Sequence, residues 1–182
     1  MSQTTITEVH EAIKAKLRET FPKVTVDDYN PEPELSVLAP ALLLELEEFP
    51  MGADVGDDRY PAACRFSVHC VLGWEVKSLA LELWEFSAAV AQLIRKSGVW
   101  VKGGVLTKPE GLEVYPGSFR KDTQQGYDSR VVTWNQTLYL GESMWNADGI
   151  TPQEVYLAYA PGGDVPPADE HEKAEYAGAP NS

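Results

Sequence analysis

Residues 64–74, CRFSVHCVLGW, constrain the fold more than any other stretch of the chain. Cys64, Phe66, Val68, Cys70 and Leu72 take every second position, with Arg65, Ser67 and His69 between them, which is the period of a β-strand with one buried face. After Gly73 the period lengthens to about 3.6. Val76, Leu79, Ala80, Leu83, Ser87, Val90, Ala91 and Ile94 then fall on one face of a helix that ends near Gly98. A strand that runs straight into a long amphipathic helix demands a sheet layer and a helix layer sharing one core.

The same strand disposes of its own chemistry. At about 3.3 Å per residue, Cys64 and Cys70 lie roughly 20 Å apart, well beyond the span of a disulfide. His69 points to the opposite face and cannot join them around one zinc ion. The two thiols read as small buried hydrophobes.

Upstream, Thr5 and Glu8 have the spacing of a capping box, and Ile6, Val9, Ile13 and Leu17 follow at helical intervals until Phe21 and Pro22 close the segment. KVTVDDY, with Val24 and Val26, predicts a strand, and NPEPE a loop. ALLLELEEF places Leu42, Leu44 and Leu46 on one face and Leu43, Glu45 and Glu47 on the other before Pro50. It is the expected hairpin partner of the strand through Cys64. Downstream, GVWVKGGVLTKPEGLEVYPG predicts short strands broken by glycines and prolines. SRVVTWNQTLYLG closes the core with Val132, Trp134, Leu138 and Leu140 on one face and Gln136 as the polar odd member. The expected fold class is α+β, two helices on one face of a mainly antiparallel sheet, with an extended C-terminal arm.

The arm begins after Gly141. Residues 142–182 hold eight acidic side chains against Lys173 alone, five prolines and scattered aromatics, whereas 1–141 hold the periodic segments. EVYLAY predicts one short strand, and disorder is expected from about Pro166. The arm's aromatics are costly to leave in water, so EVYLAY is expected to dock by strand addition on a sheet edge or a neighbouring subunit, with Tyr156, Leu157 and Tyr159 as candidate subunit contacts.

With 182 residues and 43% hydrophobic content the chain can bury a single core. No leader-like start and no apolar run approaching roughly 18 residues occurs, so neither secretion nor membrane spanning is expected, and the two free thiols suit a reducing compartment. A net charge of −13 argues against a protein that grips nucleic-acid phosphates. No G-x-S-x-G elbow, phosphate loop or dinucleotide fingerprint is present, and His10, His69 and His171 fall in no nucleophile–base pattern. Adjacent carboxylates such as Asp27 and Asp28 point to opposite faces of a strand. No catalytic residue, cofactor or metal is therefore expected.

Two surfaces are left over for interactions. Leu81, Trp84 and Ala88 lie on α-helical spacing away from the core stripe, a candidate subunit interface. The connection PMGADVGDDRYP is long for a hairpin and bounded by prolines. Met51, Val55, Arg59 and Tyr60 stand there among Asp54, Asp57 and Asp58; the aspartates lack calcium-loop spacing and read as solvated acid.

From Ile6 to about Leu140 the order and length of elements resemble the tail terminator (tail completion) proteins of tailed bacteriophages, in particular the Mu-like contractile-tailed group. The opening helix, YNPEPE, the strand pair ALLLELEEF and CRFSVHCVL around a long loop, and the helix EVKSLALELWEFSAAVAQLI carry the resemblance. It implies a non-enzymatic virion protein made in the host cytoplasm and placed at the tail/neck junction. Such a protein forms a homo-oligomeric, hexameric ring on the tail tube and possesses contacts to tube, sheath and neck proteins. DNA would pass through its lumen without specific binding, and residues 51–60 would meet the tube. The alternatives are a head-completion or neck joining protein and, from another class, a small cytoplasmic enzyme or binding module with an unrecognised pocket.

Overall fold

The computed structural model describes residues 4–30, 39–101, 106–118 and 126–143, together with the backbone of 156–157 and 172–173. The chain divides into two compact units, Met1–Met144 and Trp145–Ser182.

The first unit contains helix α1 (Ile6–Thr20), strands β1 (Thr25–Asp28), β2 (Ala41–Glu48) and β3 (Tyr60–Gly73), helix α2 (Leu79–Ser97), and strands β4 (Glu110–Pro116) and β5 (Tyr127–Leu140). The five strands form one sheet in the order β1-β2-β3-β5-β4. Only β1 and β2 run parallel; β2 with β3, β3 with β5, and β5 with β4 are antiparallel. β3 and β5 are the long central pair, in unbroken register from Tyr60 opposite Leu140 to Gly73 opposite Tyr127.

Each helix forms for a local reason and is held by a shared one. Thr5 and Glu8 complete the predicted capping box: the Thr5 hydroxyl accepts from the Glu8 amide at 3.2 Å, and the Glu8 carboxylate accepts from the Thr5 amide at 2.9 Å. α1 then buries Val9, Ile13 and Leu17; α2 buries Leu83, Ser87, Val90 and Ile94. Both stripes pack on the same face of the sheet, against Leu42 and Leu44, Cys64 to Cys70 in alternation, and Val132, Trp134 and Leu138. Phe21 after α1 meets Phe86 of α2 edge to face at 5.8 Å. The Ser87 hydroxyl satisfies itself on the Leu83 carbonyl oxygen, so the stripe tolerates it.

Three expectations need correction. Ala80 is exposed, because α2 starts only at Leu79, after Ser78 in a left-handed turn with φ 57°. The sheet's second face is not simply polar. Ala41, Leu43 and Val71 form a smaller core there with Tyr29, Ala39 and Tyr127, while Ser67 and His69 are buried beside it. His69 Nε2 lies 2.9 Å from Glu45 and its ring stacks on Tyr29. Between α2 and β5, where several short strands are expected, the described residues hold one strand, β4, and an isolated bridge from Leu106 to Leu138.

In the second unit, strand β6 (Tyr156–Leu157) pairs antiparallel with β7 (Glu172–Lys173). β6 falls within the predicted strand EVYLAY. Tyr159, NPEPE beyond Asn30, and the rest of the acidic end lie outside the described residues.

Candidate functional site

β3 is 14 residues long, so its ends lie roughly 40 Å apart. An exposed apolar surface sits at each.

At the Gly73 end, Trp74 and the first half of α2 present Leu81 (61% exposed) and Trp84 (45%), with Ala88 exposed one further turn along. These are the residues that helical spacing sets apart from the core stripe, and the structure brings them together on the outer side of α2. Trp84 is held rather than loose. Arg130 of β5 lays its guanidinium 4.8 Å from the indole centre, and is itself anchored by donating to the Ser129 carbonyl oxygen at 2.8 Å. One indole face is occupied and part of the rest is open to solvent. Trp74 and Arg130 were missed by sequence reading: Trp74 comes one residue after β3 ends at Gly73, and Arg130 is placed only by cross-strand register.

At the Tyr60 end is the β2–β3 connection. The ladder outlasts β2: Met51 bridges to Ala62, and the Gly52 amide donates to the Pro61 carbonyl oxygen at 2.7 Å. This shortens the free loop. Phe49, Met51, Val55 and Tyr60 are all exposed around it. Phe49 was not singled out by the sequence, although its place beside Pro50 marks the strand end.

The aspartates of this loop build its turns. Asp54 accepts from the Gly56 amide at 2.8 Å and Asp57 from the Arg59 amide at 3.2 Å, each two residues on. Asp57 corrects the expectation of solvated acid: it is buried, and Arg59 donates to its Oδ2 from Nε at 2.7 Å, with Nη2 also at 2.7 Å. The Arg59 hydrogen bond, against the opposing effect of burial, holds the Asp57 carboxyl below its ordinary value of 3.8. Ser143, just past β5, donates to the same oxygen at 3.3 Å. Arg59 also covers Tyr139. Asp58 takes a left-handed φ of 64°, which aspartate tolerates, and is exposed with Asp54.

Other groups able to do chemistry are engaged in structure. Burial pushes the Cys64 thiol up to about 11 and Cys70 further, so both stay protonated and poorly nucleophilic. His10, Glu11 and Asp28 have ligand atoms within 4.8 Å of one another. The Lys14 ammonium already serves that cluster, donating to Asp28 at 2.8 Å and Glu11 at 3.0 Å. Burial opposes the Lys14 charge, but the bonds to Asp28 and Glu11 outweigh it and raise its pKa.

No protein-family profile matches the chain, and no curated protein matches it.

Proposed function

We propose that this chain is a structural protein of a tailed-phage virion, a tail terminator. In that role it forms a ring on the end of the tail tube, stops tube growth and presents a surface to the neck. The observation that carries the reading is the pair of separate exposed apolar surfaces at opposite ends of β3, on a core of two helices packed against one sheet face. A ring subunit inserted between a polymer and a cap needs one surface for its ring neighbours and a separate one for the polymer end. Leu81, Trp84 and Ala88 serve the subunit contact in this reading. The loop carrying Met51, Val55 and Tyr60 meets the tube, and its Asp57–Arg59 clamp holds it in shape. The net charge of −13 favours a channel along which DNA slides instead of binding.

Replacing residues 53–59 by a tight turn in the producing phage tests this. Tails of uncontrolled length in electron micrographs are expected, with the isolated variant still melting cooperatively. Tails of normal length and fully infectious particles would overturn the assignment.

A further inference from the structure

The outer side of α2 carries a charge pattern that no ion pair among the described residues satisfies. Leu81, Trp84, Ala88 and Arg95 follow one another along one side of the helix, since the eleven positions from Trp84 to Arg95 close to within about 20° of three full turns. Glu82, Glu85 and Lys96 form a parallel row beside them on the same arithmetic. All of these residues are exposed except where Arg130 covers Trp84, and past the helix end Val99 is 55% exposed. Among the described residues none of Glu82, Glu85, Arg95 and Lys96 takes part in an ion pair. They cannot pair with one another: Glu82 and Arg95 are thirteen residues apart, about 20 Å along the axis.

Beside Glu82 and Glu85, the helix overhangs a groove of about 390 Å³ with Val24, Leu72, Val76 and Phe86 in its walls. One end of the strip is thus acidic with an apolar recess, and the other basic with a protruding apolar side chain. The helix dipole accounts for the signs of these charges. It does not account for Leu81, Trp84 and Val99 standing in water beside them.

We infer that this strip binds a second copy of the chain, the Glu82/Glu85 end of one α2 receiving the Arg95/Lys96 end of another, with Val99 directed to the apolar recess. A foreign partner would need a matching basic and apolar surface; the chain supplies one itself. The contact stands on the helix surface alone, and the proposed ring is the case in which successive subunits use it head to tail.

The test is sedimentation velocity of the full chain over a wide concentration range at low salt, with reversed-charge variants on a surface where folding is not at stake. Wild type is expected to associate, and to do so more weakly as salt rises. Glu82→Lys with Glu85→Lys, or Arg95→Glu with Lys96→Glu, should each weaken association at least about tenfold. Mixing the two variants, or combining all four changes in one chain, should restore it. A wild type that stays monomeric throughout, or association indifferent to both variants, overturns the inference. The size of the assembly addresses the tail reading separately: a ring agrees with both, whereas a closed twofold dimer that responds to the variants upholds the contact and counts against the terminator.

Discussion

Gln136 is a polar residue at a core-facing position, and it is buried because it is saturated. Its Oε1 accepts from the indole nitrogens of Trp100 at 2.7 Å and Trp134 at 2.8 Å, and its Nε2 donates to the carbonyl oxygens of Gly98 at 2.8 Å and Thr107 at 2.7 Å. One amide therefore ties the end of α2 and the segment before β4 to β5. Gln136→Ala would leave two indole N–H groups and two carbonyl oxygens without that partner, two of these bonds being fully buried, and a loss of about 3 kcal/mol in urea unfolding is expected. Gln136→Glu keeps the shape but turns a lone pair toward two carbonyls, so its folded pKa must rise. That variant should regain stability as pH falls toward about 4, because its folded state then binds the extra proton. His10 has the opposite sign. Burial, only partly offset by Asp28, lowers its pKa from 6.5, so the unfolded chain binds more protons just below that value. Stability at His10 is complete above pH 6.5 and falls as the pH drops below it; His10→Gln should flatten the midpoint-against-pH curve in that window.

Among the elements, α1 does two jobs. Its apolar stripe covers one side of the sheet, and its polar flank closes the sheet's first edge. Arg18 donates to the Val26 carbonyl oxygen at 3.1 Å and Lys14 holds Asp28, which blunts the short edge strand β1 against pairing with another chain. The helix start depends on the reciprocal Thr5–Glu8 bonds, so Thr5→Ala should cost about 1 kcal/mol by chemical denaturation while leaving the sheet intact. Polar groups on the sheet's other side are matched locally as well: a bulge after Leu46 lets Glu47 reach both Arg65, at 3.1 Å, and the Ser67 hydroxyl.

On the scale of the whole molecule, the core residues described on one sheet face and the two helices belong to the unit Met1–Met144. A chain ending at Met144 retains Ser143 and its bond to Asp57, and is expected to melt in one cooperative transition by circular dichroism. Loss of that cooperativity would mean that residues 145–182 complete the core. No helix among the described residues is long and apolar enough to cross a membrane.

The sequence by itself determined α1, β2, β3, α2 and β5 and the face each turns to the main core. Period two at Cys64 to Leu72, period 3.6 from Leu83 to Ile94 and the Thr5–Glu8 cap are local patterns, written in spacing that a single strand or helix must obey. It also marked Leu81, Trp84 and Ala88 as surplus to the core, because a helix buries one stripe at a time. Tertiary structure decided what spacing cannot encode. The burial of Asp57 depends on Arg59 and on Ser143, eighty-six positions away, and the saturation of Gln136 on Gly98 and Thr107. The placement of Arg130 on Trp84 depends on strand register, and the second small core around Leu43 and Val71 on Tyr29 and Tyr127 folding over the far face. These features join residues distant in sequence, and a polar side chain's fate is set by whether such a partner arrives: unsatisfied it stays in water, satisfied it can be buried.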